Sequence, residues 1–279
     1  MKYRYADYIN EYRRIMQFNK NKELRIHRWY PFVEGYSKEF IESIVNEQTQ
    51  KVDLCLEPFS GSGTTALELS TKGINCISFE VNPFMFTLSK AKLKVSLYKQ
   101  RTIKSHILKM KKYIVSLDDD KINPYSRFST LIEGEEKKKW NIDLEVFIAI
   151  EKLKTAIDSL STILYKELYI VCLANILLEY SNLYRNGKCL SYKKGWKDNL
   201  YSQEQVITSF FNFINNIIIE DLENIETNNF SNHNLLFLGD ARKLIFENVD
   251  DDSVDLIITS PPYLNSRDYT DSYMLELKA

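Results

Sequence analysis

The sequence predicts an α/β fold with a partial, Rossmann-like parallel sheet and a large, mainly helical insertion. Three observations lead to this prediction. Four short apolar runs, each bounded by turn residues, have the character of buried parallel strands. A glycine-rich turn and a helix-like stretch join the first two runs into a βαβ unit. The long segment between the second and third runs has helical periodicity, which favours an inserted helical region over an unstructured loop.

The elements before the insertion follow from local signals. We expect helices at about Tyr5–Phe18 and Ser37–Gln48, the second capped by Ser37. The first two strands are predicted at Val52–Phe59 and Asn75–Val81, and the helix Thr64–Lys72 between them should end at Gly73.

The insertion and the remaining strands complete the predicted order. Asp143–Tyr180 contains no glycine or proline and is predicted to be helical, as is Gln203–Asn224. Leu235–Leu238 and Val254–Thr259 are the third and fourth strands. The predicted domain limits are therefore 1–94 for the first part of the α/β domain, 95–230 for the insertion and 231–279 for the continuation of the α/β domain.

Composition excludes several classes of protein. The four cysteines lack metal-ligand spacing, so neither a metal site nor a disulfide is predicted. No apolar segment has the length of a membrane helix, and the polar N-terminus lacks a signal-peptide core. We therefore expect a cytoplasmic protein without a membrane partner.

The charge is balanced overall but unevenly distributed. The formal net charge is −1, which gives no bulk electrostatic argument for nucleic acid. However, Lys90–Ser116 contains nine lysines or arginines and no acid. Such a stripe can contact phosphates, although a solvated helix face gives the same pattern.

A glycine-rich motif, Glu57-Pro58-Phe59-Ser60-Gly61-Ser62-Gly63-Thr64-Thr65, follows the first strand. Its two glycines permit a tight turn and close approach of a ligand to the backbone. Open α/β sheets bind ligands at this edge. The Walker lysine and the third glycine of the dinucleotide fingerprint are missing, which argues against a pyrophosphate ligand. The carboxylate of Glu57 suits an amine, and a purely structural turn is the alternative.

Two acidic residues follow the next two strands. Glu80, at the end of the second strand, can accept both hydroxyls of a ribose. Asp240 follows the third strand and could accept a hydrogen bond from an adenine amine. For Glu80 the alternative is a helix cap or a surface charge, and for Asp240 it is a helix cap.

The fourth strand runs into Ser260-Pro261-Pro262-Tyr263. Two prolines end the strand in a rigid turn, and they carry no N–H that could compete for their carbonyl groups. The Ser260 hydroxyl and the Pro261 carbonyl can accept the two N–H bonds of an exocyclic amine, while the Tyr263 ring stacks on a planar base. These four residues are the predicted catalytic loop.

In this order, the four motifs resemble the S-adenosylmethionine-dependent DNA amino-methyltransferase family, in particular its members with a Ser-Pro-Pro-Tyr motif. The resemblance implies a partial class I methyltransferase sheet with strands in the order 3-2-1-4. It also assigns His27–Phe32 and the following helix to the N-terminal cofactor-contacting element of the family. The implied cofactor is S-adenosylmethionine, with the candidate residues Tyr30, Pro31, Glu57, Phe59, Ser60, Gly61, Gly63, Thr64, Thr65, Glu80, Val81, Asn82, Asp240 and Ala241.

The resemblance implies a site-specific DNA methyltransferase of a restriction–modification system, acting on a flipped-out base. Serine at position 260 favours cytosine N4 as the methylated atom, with adenine N6 as the alternative. RNA or protein amine methylation is a weaker alternative. The expected partners are double-stranded DNA and a cognate restriction endonuclease.

The sequence supplies four of the seven strands of the family fold. An alternative to a complete enzyme is therefore a cofactor-binding subunit that needs a second polypeptide, or another copy of itself, to complete the sheet.

Candidate DNA-contacting residues lie in the insertion and beyond the catalytic loop. Mixed basic and aromatic residues can contact phosphates and stack on bases, although a solvated surface loop fits them equally well. The candidates are Lys188, Tyr192, Lys193, Lys194, Trp196 and Arg267.

Overall fold

The computed structural model describes residues 17–32, 34–122, 131–133, 138–186, 189–226, 230, 233–261 and 273–278. The first predicted helix, Tyr5–Phe18, lies almost wholly outside these residues. In chain order the α-helices of eight or more residues are α1 (Lys38–Asn46), α2 (Thr64–Thr71), α3 (Pro83–Leu93), α4 (Gln100–Val115), α5 (Leu144–Asp158), α6 (Ile163–Tyr180), α7 (Gln203–Phe213) and α8 (Ala241–Asn248). The strands are β1 (Leu54–Glu57), β2 (Asn75–Glu80), β3 (Leu183–Asn186), β4 (Cys189–Tyr192), β5 (Leu235–Leu238) and β6 (Leu256–Ile257).

The chain divides into two compact units. One contains the described residues up to Ser96 together with those from Glu226 to Pro261, and the other contains those of Leu97–Ile225 together with 273–278. The C-terminal residues 273–278 thus pack in the second unit, whereas the limits predicted from the sequence place them in the α/β domain. The domain limits drawn from the sequence stay predictions.

The first unit contains a four-stranded parallel sheet in the order β5-β2-β1-β6. This is the predicted 3-2-1-4 order, so the predicted fold class is confirmed. Pairing extends beyond β6, because Ile258 N donates to Leu56 O at 3.1 Å. Parallel strands end at the same edge, which brings the segments after all four strands together.

Apolar side chains cover both faces of this sheet, as the doubly wound architecture requires. On one face Cys55, Cys76 and Ile258 pack with Ile41 of α1 and Leu69 of α2. On the other face a second cluster contains Leu56, Ile77, Phe79 and Ala241. Helix α1 begins where expected, because Ser37 Oγ accepts a hydrogen bond from Phe40 N at 3.3 Å.

The second unit is mainly helical, with two differences from the prediction. The stretch Asp143–Tyr180 forms two helices, α5 and α6, separated at residues 159–162. The segment after α6, for which the sequence also allowed a solvated surface loop, contains the antiparallel hairpin β3–β4. The predicted helix Gln203–Asn224 is confirmed, since α7 continues through a π-helical segment, Ile214–Ile219, to Glu223.

Candidate functional site

The glycine-rich loop after β1 is held against the end of β2. Ser60 N donates to Phe79 O at 2.8 Å, and Gly61 N donates to Glu80 Oε2 at 2.7 Å. Gly63 N closes the turn by donating to Ser60 O at 2.9 Å. Gly61 and Gly63 both have positive φ, +51° and +77°, which L side chains rarely adopt. The predicted tight turn is therefore present, and its conformation requires both glycines.

Helix α3 packs directly behind this loop. A Cβ on Gly63 would lie 2.3 Å from Ser89 Oγ and 3.1 Å from Ser89 Cα. Ser89 Oγ also lies 3.2 Å from Ser60 Oγ. One turn along α3, the fully buried Lys92 donates from Nζ to Ser62 O at 3.1 Å, and burial lowers the pKa of this amine to about 7. The loop therefore has contacts to β2 and to α3.

Glu80 lies at the strand end that the sequence indicated. Its Oε2 accepts from Gly61 N and its Oε1 accepts from Asn82 N, both at 2.7 Å. Burial raises the pKa of the Glu80 carboxyl, against the opposing effect of these backbone hydrogen bonds. Each oxygen keeps a further lone pair, so the carboxylate can still accept two hydroxyl groups.

The two residues after Glu80 have different surroundings. Val81 is 71% exposed and borders the strand end. The Asn82 side chain caps α3, because Oδ1 accepts from Phe84 N at 2.9 Å and from Met85 N at 3.3 Å. The sequence predicts that Asn82 contacts the cofactor. Because its Oδ1 caps α3 and its backbone N–H donates to Glu80, such a contact would have to use the side-chain amide NH2 or the backbone carbonyl.

Glu57 faces the interior and not the open edge. Tyr36 donates its hydroxyl to Glu57 Oε1 at 2.7 Å, and the same hydroxyl contacts Thr65 Oγ1. The other oxygen, Oε2, is buried and has no hydrogen-bond partner among the described residues. Burial raises the pKa of the Glu57 carboxyl to about 8. Sequence reasoning did not find Tyr36, since nothing near it in the chain suggests a carboxylate partner.

Asp240 caps α8, which is the alternative role that the sequence allowed for it. Its Oδ1 accepts from Arg242 N at 3.0 Å, and the Arg242 guanidinium binds both carboxylate oxygens. These hydrogen bonds lower the pKa of Asp240 to about 2. The contact to an adenine amine stays a prediction, and the neighbouring Ala241 is buried.

Ser260 and Pro261 follow the fourth strand at the same edge and are exposed. Pro262 and Tyr263, the other half of the predicted catalytic loop, lie outside the described residues. Beside the glycine loop, a Cβ on Gly61 would lie 3.1 Å from the Phe32 ring. Tyr30 is buried and packs on Phe84, with ring centroids 4.9 Å apart, whereas Pro31 is exposed.

Aromatic and basic residues from two separate segments meet in the second unit. The Trp196 ring lies 4.7 Å from Trp140 and 5.1 Å from Tyr192 between centroids. Lys139 Nζ lies 5.2 Å from the centroid of the Tyr192 ring, and Lys197 Nζ lies 5.6 Å from that of the Trp140 ring. We call these five residues the aromatic–basic patch. The sequence indicated Trp196 and Tyr192, and Lys197 as the end of the basic segment Arg185–Lys197, but it missed Lys139 and Trp140 because they are distant in the chain.

The remaining candidates for DNA contact have different surroundings. Lys193 Nζ donates to Glu179 O at 2.5 Å and to Ser181 O at 2.6 Å, at the end of α6. Its ammonium group is therefore occupied by the protein. Lys194 is exposed, and Lys188 and Arg267 lie outside the described residues.

The basic stripe Lys90–Ser116 is not one surface. Lys92 is buried, so it cannot contact a phosphate, and that part of the prediction is wrong. Arg101, Lys109 and Lys112 are exposed on α4. Lys104, also on α4, forms an ion pair of 3.9 Å with Glu223.

The described ranges contain neither a cluster of metal ligands nor a membrane-spanning helix. No group of three or more His, Cys, Asp or Glu residues there could hold a metal ion. No described helix is long and apolar enough to cross a membrane.

Comparison with known proteins shows which family the chain resembles. A family model described as DNA methylase matches residues 5–91. The type II methyltransferase M.BsoBI of Geobacillus stearothermophilus is 28% identical over 290 residues, covering 95% of this chain and 54% of that protein. These matches confirm the resemblance to the DNA amino-methyltransferase family.

Other type II methyltransferases show the same relationship. M.AvaI of Nostoc sp. is 26% identical over 296 residues, covering 95% of this chain and 56% of that protein. M.MjaII of Methanocaldococcus jannaschii is 27% identical over 126 residues, covering 44% of this chain and 23% of that protein. The chain spans about half the length of M.BsoBI and M.AvaI. No solved structure matches it. The family match includes the glycine-rich loop and Glu80 but ends before Ser260.

Proposed function

We propose that this chain is the cofactor-binding and catalytic part of a DNA methyltransferase that uses S-adenosylmethionine and methylates cytosine N4. The observation that carries the proposal is the shared sheet edge. The glycine loop after β1, Glu80 after β2 and Ser260 after the fourth strand all lie at the carboxyl ends of neighbouring parallel strands. A cofactor and a base amine can meet at such an edge.

The residues at this edge fit S-adenosylmethionine. Glu80 keeps acceptor capacity for the two ribose hydroxyls while its backbone contacts fix its orientation. Phe59 and Val81 are exposed apolar side chains beside it, 39% and 71% accessible, and can cover the apolar parts of the ligand. Gly61 lacks the side chain that would point at Phe32. The residues that would hold the cofactor are thus the glycine loop, Phe59, Glu80 and Val81.

Glu57 and Asp240 fit less directly. Glu57 is buried and accepts a hydrogen bond from Tyr36, so its carboxyl does not face a ligand at the open edge. Asp240 would have to share its oxygens between Arg242 and an adenine amine.

The chain's own residues would perform the chemistry by positioning the target. The cofactor supplies an electrophilic methyl group when it is bound. The Ser260 hydroxyl and the Pro261 carbonyl accept the N–H bonds of the base amine, which withdraws the nitrogen lone pair from the ring. Neither Pro261 nor Pro262 carries an N–H that would repel the amine. In-line placement of the two reactants then provides most of the acceleration.

Serine at position 260 supports cytosine N4 over adenine N6 as the methylated atom. Mass spectrometry of nucleosides from methylated DNA distinguishes the two products. Detection of N6-methyladenine alone would contradict this assignment and leave the rest of the proposal in place.

We propose the aromatic–basic patch as a DNA contact. Ring faces can stack on exposed bases, and the ammonium groups of Lys139 and Lys197, both on exposed residues, can pair with phosphates. Because the relatives are type II methyltransferases, we also propose a place in a restriction–modification system, with a cognate endonuclease as functional partner.

Gly61→Val tests the cofactor site, with Gly73→Val as its matched control. Both glycines have positive φ, but only Gly61 faces the Phe32 ring, whereas nothing lies within 4 Å of a Cβ on Gly73. We expect Gly61→Val to lose S-adenosylmethionine binding in calorimetry while Gly73→Val keeps it. Thermal melting shows whether each variant is folded. Wild-type affinity in folded Gly61→Val would refute the site.

Ser260→Ala tests the catalytic role. Removing one hydrogen bond made in the transition state lowers the rate by about 100-fold or more. We expect that loss in methylation assays, with unchanged cofactor affinity. The assays use this chain together with a polypeptide that corresponds to the unmatched half of M.BsoBI. Equal rates for Ser260→Ala and wild type would exclude Ser260 from catalysis.

A further inference from the structure

Lys92 has surroundings that are unusual for a lysine. Its side chain on α3 is fully buried, and its Nζ donates to Ser62 O at 3.1 Å. The ring of Phe18 lies 5.9 Å from the same nitrogen. No carboxylate among the described residues forms an ion pair with it, and burial alone lowers its pKa. Lys92 therefore has a carbonyl and an aromatic ring as neighbours instead of a counter-ion.

Such an arrangement costs stability. Moving an ammonium group out of water without a counter-ion disfavours its charged form. A methionine of similar length would fill the same volume without that cost. Buried ionisable groups with perturbed titration are enriched at functional sites, which points to a role for Lys92 beyond packing.

The position of the acceptor indicates that role. Ser62 lies between Gly61 and Gly63, the two residues with left-handed backbone conformations. Ser89 and Lys92 are three residues apart, so they lie on one face of α3, and both contact the loop. Glu80 holds the loop at Gly61 N, and Lys92 holds it at the next residue.

We propose that Lys92 is a positioning residue for the cofactor: its amine holds the Ser62 carbonyl and so keeps the Ser60–Gly63 turn in the conformation that receives S-adenosylmethionine. The cofactor part of this inference rests on the proposed function. The effect on the loop does not, because it can be measured without any ligand.

Lys92→Met tests the inference, with Lys90→Met as the matched control on the same helix. Lys90 Nζ lies 5.7 Å from the Phe86 ring centroid, and Lys90 is only half-buried, unlike Lys92. Three quantities are measured in the full chain: the melting temperature, the amide hydrogen exchange of residues 60–64 without ligand, and the Kd for S-adenosylmethionine.

For Lys92→Met we expect a melting temperature close to that of wild type, because removal of an uncompensated buried amine offsets the loss of the hydrogen bond to Ser62 O. Exchange in the loop should be about tenfold faster and the Kd about tenfold weaker, as expected for one lost hydrogen bond. Lys90→Met should match wild type in loop exchange and in Kd. A purely structural role for Lys92 predicts instead that stability and affinity fall together.

Lys92→Arg retains a donor but cannot lose its charge and is bulkier, so we expect a lower melting temperature, with loop exchange and Kd nevertheless closer to wild type than in Lys92→Met. Wild-type exchange and affinity in Lys92→Met would overturn the proposal. So would failure of both Lys92 variants to fold while Lys90→Met folds, since Lys92 would then serve folding. If wild type binds no S-adenosylmethionine but Lys92→Met still loosens the loop, the proposed function fails and the role of Lys92 in the loop remains.

Discussion

Two buried ionisable side chains flank the glycine-rich loop, and each is uncharged over part of the physiological pH range. Glu57 precedes the loop and shares a hydrogen bond with Tyr36, while Lys92 holds Ser62 from behind. Burial raises the pKa of the first to about 8 and lowers that of the second to about 7. Both groups therefore link proton binding to the stability of the first unit.

Glu57→Gln should change how stability depends on pH. The folded-state pKa of Glu57 is raised, so its contribution is complete below about pH 4.5 and is lost as pH rises to about 8. Glutamine has no proton to lose. We expect the free energy of unfolding of wild type, relative to Glu57→Gln, to fall between pH 5 and 8 in urea titrations. A constant difference across this range would contradict the raised pKa.

Gly63→Ala should destabilise the protein more than Gly73→Ala. Both positions have positive φ, which costs an alanine about 1 to 2 kcal/mol. Only Gly63 packs against Ser89, so overpacking adds about 1 to 3 kcal/mol there. Denaturant unfolding of the two variants measures the difference, and equal losses would mean that α3 moves away from the loop at little cost.

At the level of elements, the parts of the fold with strong local signals were predictable. The four strands are apolar runs between turn residues, and Ser37 is a capping residue directly before an amphipathic stretch. The break between α5 and α6 has no glycine or proline, so the sequence pattern did not reveal it. The hairpin did have a signal, the dipeptide Asn186-Gly187, which favours a tight β-turn.

The candidate site was predictable only where position in the chain determines position in space. Glu80 and the glycine loop follow directly from strand ends, because parallel strands share an edge. Whether a side chain points outward or inward depends on tertiary packing. The sequence therefore predicted neither the burial of Glu57 nor that of Lys92, which belongs to a stripe of basic residues in the chain.

The proposed contact between the aromatic–basic patch and DNA can be tested by removing its two lysines. Replacing both Lys139 and Lys197 by Gln should weaken DNA binding equally for all sequences. Each lost phosphate contact should reduce the slope of log K against log salt by about 0.9. Lys121→Gln is the control, because Lys121 is exposed but lies outside the patch, with its Nζ 3.5 Å from Asp118 Oδ2. This variant should keep the wild-type slope. Identical slopes for all three proteins would place the phosphate contacts elsewhere.

For the whole molecule, the open edge of the sheet is the most consequential feature. β6 pairs with β1 on one side, and no described residue pairs with its other side. Ile257 on this strand is 58% exposed, and the run VDLIITS contains no proline or lysine that would discourage pairing. The relatives M.BsoBI and M.AvaI are about twice as long as the matched region. We therefore expect this edge to take up a further strand.

Self-association through this edge can be tested with a single substitution that introduces a charge. Ile257→Lys places an ammonium group on the exposed side chain of the edge strand, which disfavours pairing with another strand. We expect light scattering to show concentration-dependent association of the wild-type chain and less of it for the variant. Phe246→Lys, at an apolar residue on α8 that is 87% exposed, controls for simple loss of surface hydrophobicity. Equal association of both variants would point to a different contact.

Activity should depend on what covers the same edge. Ser260 and Pro261 follow shortly after β6 in the chain. A strand that pairs with the open side of β6 would therefore fix the start of the catalytic loop. We expect the chain alone to methylate plasmid DNA poorly with labelled S-adenosylmethionine. Co-expression with a polypeptide covering the rest of M.BsoBI should raise the rate, and Ile257→Lys should reduce that gain. A monodisperse monomer that methylates DNA unaided at the rate of the co-expressed pair would show that the edge needs no partner.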